Sequence, residues 1–201
     1  MRYLNIVICL ITLVLCACTS PPKLERTPSL AGNYVVDPAH TSVVWRISHV
    51  GLSNYTARFD KVSGVLLFDA EKPQNSKIDI RIDPTSVHTG DADFDKTLAN
   101  ERKYFDAKTY SEIRFVSNDI KITGKNSGDV HGDLSFRGHT KPVTLMVTYN
   151  GAGKSFGHKG QTLGFSATAT LSRSDFGLTT LKAFGIGDEV TLQIETEFNE
   201  S

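Results

Sequence analysis

Trp45 and His49 stand two pleats apart in a run, DPAHTSVVWRISHVG, whose residues alternate in character. Val43, Trp45, Ile47 and His49 fall on one side, and Ser42, Arg46 and Ser48 on the other. In an extended strand that spacing points the two rings the same way. The chemistry they offer is that of holding an amphiphile: the chain's single tryptophan supplies apolar contact and the imidazole a polar partner. A packed core has no use for that histidine. A barrel or sandwich whose inner face lines a ligand cavity has a use for both.

Other candidate groups point less clearly to chemistry. Arg173 and Asp175, in RSDFG, read as an ion pair across a turn, with contact between Arg173 and a ligand phosphate or carbonyl oxygen as the alternative. The six histidines, His40, His49, His88, His131, His139 and His158, show no H-x-H or H-x3-H pairing, so no metal site is expected. Asp91, Asp93 and Asp95 alternate as in a calcium loop. No glycine follows at the required place and Glu101 comes one position early, so they read as an acidic helix start. No nucleophile elbow, phosphate loop or dinucleotide fingerprint is present, and no catalytic residue is assigned. Lys plus Arg and Asp plus Glu are 22 each, which leaves no basic footprint for nucleic acid.

The elements that must position these groups are strands. Short runs rich in Val, Ile, Thr and Phe are separated by turn residues, and the default fold class is all-β. Residues 33–36 and 41–50 read as a first strand pair. Residues 57–69 read as one strand with a bulge or bend at Gly64, and residues 77–83 as a strand with one wet face. Runs at 112–123, 129–136, 143–149, 163–171 and 190–198 follow, with Arg137-Gly138 among the turn dipeptides. Residues 91–105, with Phe94, Leu98 and Phe105 on one stripe, predict the only helix, in a connection and lying across a barrel mouth. Alternation then nominates the ligand-facing positions Trp45, Ile47, His49, Phe59, Phe115, Phe136, Leu145, Phe165 and Leu192, with Arg173 added for its charge.

The N-terminus carries a processing signal. Arg2 precedes an apolar run from Ile6 to Leu15 that is too short for a stable membrane span. Leu15-Cys16-Ala17-Cys18 resembles a bacterial lipobox, departing from it at Cys16, and nominates Cys18 for lipidation. Cys9, Cys16 and Cys18 are the only cysteines, so cleavage before Cys18 leaves one, and lipidation removes a lone thiol from an oxidising compartment. The expected organisation is a signal peptide at 1–17, a flexible polar tether at 18–31 and one β-barrel domain at 32–200. Thr19, where enteric bacteria use aspartate for inner-membrane retention, leans the expected location towards the outer membrane, facing the periplasm. Pairing of two copies through an edge strand is left open.

Several separated phrases coincide in order: Y-x-x-D-x-x-H-T at 34–41, W-x-I-x-H-V-G at 45–51, FDAKTYSEIRF at 105–115, RGHTKPVTL at 137–145, RSDFGL at 173–178 and GDEV at 187–190. With them the chain resembles the YceI-like family of bacterial envelope proteins, departing only at Tyr104-Phe105 and Tyr110-Ser111. The resemblance implies an extended, antiparallel, lipocalin-like β-barrel with one short helix. Its long apolar lumen would take up a polyisoprenoid lipid or isoprenoid quinone, with no other cofactor. An enzyme acting on such a lipid with His49 as acid or base, and an envelope protein with a filled core, stand as the alternatives.

Overall fold

A computed structural model describes residues 21–201 apart from Phe156. The candidate signal peptide and Cys18 lie outside the described residues. Among the described residues there are eleven strands: β1 (Gly32–Val36), β2 (Ser42–His49), β3 (Ser53–Phe59), β4 (Val62–Phe68), β5 (Lys77–Ile82), β6 (Val87–His88), β7 (Ile113–Ile122), β8 (Ser127–Phe136), β9 (His139–Gly153), β10 (Thr162–Ser172) and β11 (Ile186–Glu200). One helix, α1 (Ala92–Asn100), lies between β6 and β7. All pairings are antiparallel.

Eight staves close this sheet into a barrel, because three staves are each broken into two strands. β11 runs the full height: Val190 to Glu195 pair with β2, while Phe198 to Glu200 pair with β1. β1 and β2 are therefore two pieces of one stave, pairing not with each other but both with β11. The opposite edge of β1 pairs with β4, and β2 pairs with β3. The expected continuous strand 57–69 is likewise broken at Asp60-Lys61. Gly64 makes no bulge, since β4 and β5 stay in register from Val62↔Ile82 to Leu67↔Lys77. It is there for closeness: a Cβ at Gly64 would lie 2.5 Å from the Asp79 carbonyl oxygen. The β8–β9 hairpin turns on Arg137 and Gly138, both at positive φ (49° and 74°), as a two-residue primed turn requires.

The alternation that forms these strands also hollows the barrel. On β11, Val190, Leu192, Ile194, Thr196 and Phe198 alternate with Thr191, Gln193, Glu195 and Glu197. The register sets Leu192 opposite Trp45 and Ala169, and Ile194 opposite Val43 and Ala167. Ala57 faces Trp45 from the other side. Small residues beside large ones leave space along the axis where bulkier side chains would fill an eight-stranded barrel.

α1 begins at Asp91, whose carboxylate accepts from the amides of Asp93 (3.0 Å) and Phe94 (3.1 Å). It ends at Asn100, earlier than the predicted 105. Residues 101–110 continue as turns, tied across the barrel end by Arg137 Nη2 to the Arg102 carbonyl (2.8 Å) and by Thr180 Oγ1 to the Lys103 carbonyl (2.7 Å). The described part of the segment expected as a flexible tether touches the barrel at separate points. Lys23 and Ala152 exchange backbone hydrogen bonds (2.7 and 2.9 Å), and Leu30 is buried. The Tyr34 hydroxyl donates to the Leu30 carbonyl (2.9 Å), and burial pushes its pKa up to about 12.

Candidate functional site

The barrel interior is a lumen of two contiguous compartments. The narrow one holds about 180 Å³ and the wide one about 510 Å³, of which the wide one alone reaches the size of a ligand site, roughly 300–1,000 Å³. Val43, Ile82, Leu134 and Leu192 belong to the walls of both and mark the waist between them. A barrel with this interior is hollow, which sets aside the filled-core alternative.

Each compartment ends in an aromatic collar. At the wide end Trp45, Tyr55, Phe94 and Tyr104 follow one another with ring centroids 6.0–6.3 Å apart. Phe59, Phe105, Phe136 and Phe176 form a second chain at 5.5–5.9 Å. At the narrow end Phe68 stacks on Tyr149 (6.1 Å), which meets Phe165 at 5.4 Å, and Phe165 meets Phe198 at 5.9 Å. Offset and edge-on rings pack favourably while presenting apolar surface to an included chain.

All ten residues nominated as ligand-facing border this lumen. Trp45, Ile47, His49, Phe59, Phe136 and Arg173 line the wide compartment, Phe115, Leu145 and Phe165 the narrow one, and Leu192 the waist. Phe94, Leu98 and Phe105, the predicted helix stripe, also face the wide compartment. Alternation alone would have added Ile78, Ile80 and Ile82, which point into the narrow one. Tyr149, on the same alternation of β9, was also missed.

The polar groups on the wide wall are mostly committed to the protein. Arg173 is buried, and its guanidinium donates to four carbonyls: Gly187 (2.6 Å), Leu178 (2.7 Å), Thr180 (2.8 Å) and Ile186 (3.1 Å). Desolvation lowers its pKa while Asp188 pulls it up. Asp175 is exposed and makes no ion pair with it, which corrects the expected Arg173–Asp175 pair. The arginine fastens the β10–β11 loop because its fork reaches carbonyls on both limbs, and four of its five N–H donors are spent there. Asp188 completes the clip: Lys182 Nζ (2.7 Å) and the Ser174 hydroxyl (2.8 Å) donate to Oδ2, and the Lys182 contact foremost holds its carboxyl below the usual range.

His49 sits exposed at the wide mouth, and among the described residues no side chain hydrogen-bonds its ring. Nothing orients it as a catalytic base needs to be oriented. Among the described residues Trp45 Nε1 and the Tyr149 hydroxyl are buried without a hydrogen-bond partner, and burial raises the Tyr149 pKa. Outside the barrel, atoms of Asp37, His40 and Glu197 come within 4.8 Å of one another. They are engaged already: His40 Nδ1 lies 3.0 Å from Asp37 Oδ2, to which Asn199 Nδ2 donates at 3.0 Å. The Y-x-x-D-x-x-H-T phrase is accounted for by this corner, where Asp37 also caps the turn Pro38–His40 by accepting from the Ala39 amide.

Comparison with known proteins places this architecture. The YceI-like domain family matches residues 34–198. A UPF0312 protein of Pseudomonas putida strain GB-1 is 40% identical over 158 residues, covering 77% of this chain and 81% of that one. A UPF0312 protein of Pseudomonas savastanoi pv. phaseolicola is 39% identical over the same length. Among solved structures, Burkholderia cenocepacia BcnA superposes with a TM-score of 0.70 at 28% identity, covering 81% of this chain and 98% of that one. A polyisoprenoid binding domain from Saccharophagus degradans shares the fold, with a TM-score of 0.62 at 18% identity, covering 84% of this chain and 98% of that one.

Proposed function

The chain belongs to the YceI-like family, and from that premise we propose that its barrel binds a polyisoprenoid lipid or isoprenoid quinone, for carriage, storage or protection in the bacterial envelope. The observation that carries this reading is the hollow, aromatic-collared, almost wholly apolar lumen running through two compartments. Burying a chain there contributes about 0.8 kcal/mol per CH₂, so ten chain carbons contribute about 8 kcal/mol before the cost of immobilising the ligand. The Saccharophagus degradans domain, described as polyisoprenoid binding, supports a long-chain ligand for this barrel shape. Binding rather than turnover is favoured because His49 has no orienting partner and Arg173 spends its donors on carbonyls. The protein is held at the membrane by lipid on Cys18, facing the periplasm.

Organic extraction of the full-length protein purified from a bacterial host, followed by mass spectrometry, tests the reading. A stoichiometric prenyl species is expected. An empty extract, together with no uptake of added quinones or prenyl lipids, would overturn it. The same preparation shows whether Cys18 is acylated, since an unmodified Cys18→Ala control lacks the mass of the chains.

A further inference from the structure

At the narrow end of the lumen one cation has neither an ion pair nor a hydrogen bond among the described residues, only an aromatic ring beside it. Arg26, half-buried in the docked N-terminal segment, borders the cavity with its guanidinium carbon 5.8 Å from the centre of the Tyr149 ring. Among the described residues it is the only charged side chain on that compartment's wall. Among the described residues no carboxylate pairs with it and no oxygen accepts from its five N–H donors, in contrast to Arg173, whose fork is occupied by four carbonyls. Asn126 borders the same end with its side-chain amide also unpartnered. The segment is held in place independently of this charge, by the Lys23–Ala152 pairing and by buried Leu30. A planar, unpaired fork at the end of an apolar channel matches an anionic oxygen head on an apolar chain, because guanidinium binds phosphate or carboxylate by two parallel hydrogen bonds.

We propose that Arg26 reads the headgroup of the ligand. The ligand is then a single-chain amphiphile with a phosphate or carboxylate head at Arg26 and its chain running past the waist towards Trp45. The inference rests on the lumen holding a lipid, and it selects anionic heads over the neutral ring of a quinone. It also gives the N-terminal segment a second task, closing the narrow end while supplying the recognising charge.

Trp45, the single tryptophan, reports on occupancy of the wide compartment through its emission. The full-length chain in non-ionic detergent at low salt is titrated with geranylgeranyl phosphate, with a C20 fatty acid and with neutral geranylgeraniol. The wild type is expected to bind at least one of the two anions at least about tenfold more tightly than the alcohol. Arg26→Gln is expected to reduce that preference to within about twofold, leaving affinity for the alcohol and the melting temperature unchanged, and Arg26→Lys to restore part of it. Equal affinities in the wild type, or a preference that survives Arg26→Gln for both anions, would overturn the role of Arg26 while the alcohol's binding leaves the lipid reading standing. If none of the three binds, both fall.

Discussion

The two ends of the lumen are walled by the same strands yet finished by opposite means. At the wide end a loop and helix close over the barrel, and the arginines there hold that cover: Arg173 donates to four carbonyls, Arg137 to the Arg102 and Phe176 carbonyls, and Thr180 adds a bond to Lys103. At the narrow end the cover is a short segment held by one backbone pairing and one buried leucine, and its arginine, over the Tyr149 ring, has no ion pair or hydrogen bond among the described residues. Two arginines border one cavity, and only their partners tell scaffold from recognition. Buried charge satisfied by backbone is a structural device, costly to remove; half-buried charge without a partner is available to a ligand.

The largest expected effect lies at the buried arginine. Arg173→Met orphans four carbonyls and should cost roughly 3 kcal/mol or more in urea denaturation, whereas Arg26→Gln should stay within about 0.5 kcal/mol of the wild type. Equal effects would erase the distinction between the two. Next, Ala167→Phe should obstruct the narrow compartment, which Ala167 borders. A C20 isoprenoid should then lose at least about tenfold in affinity by the Trp45 assay, while a short prenyl alcohol confined to the wide compartment keeps its own. Leu30→Ala removes the anchor of the narrow cover at a cost of about 2 kcal/mol. Its expected mark is local: faster amide exchange at Lys23 and Ala152, with no change in the residues of α1.

Much of this was legible in the chain, and the exceptions share a cause. Period-2 alternation marks which side chains leave water, so the inward faces of β2, β10 and β11 could be read directly, and the turn at Arg137-Gly138 from its residue types. Alternation carries no information on partners. Residues 33–36 and 41–50 look like a hairpin because they are adjacent, yet each pairs with a different half of β11, a choice made by barrel closure much later in the chain. Arg173 and Asp175 look like a pair for the same reason, while the carbonyls that hold the arginine are brought up by the fold of the following loop. Arg26 lay in a stretch whose proline and polar residues show no period, and a single buried leucine was too little signal to mark it as docked.

The smallest effect concerns pH, and its sign separates the wide end from the corner at Asp37 and His40. Asp188 has its pKa lowered by Lys182 and Ser174. Its contribution is therefore complete above the unfolded carboxylate value of about 3.8 and is lost as pH falls through the lower folded value. His40 has its pKa raised, chiefly by Asp37, so its contribution is present below about 6.5 and is lost as pH rises through the folded value. Asp37, lowered by the same contact, follows Asp188. Because Asp188 is partly exposed, its share is below about 1 kcal/mol. Urea midpoints followed from pH 7 to pH 3 should fall less steeply for Asp188→Asn than for the wild type, and Arg26→Gln should follow the wild-type curve. His40→Gln should differ from the wild type at pH 5.5 and converge with it by pH 8.5. An Asp188→Asn curve parallel to that of the wild type throughout would mean that the clip at the wide end holds through Arg173 and the backbone alone.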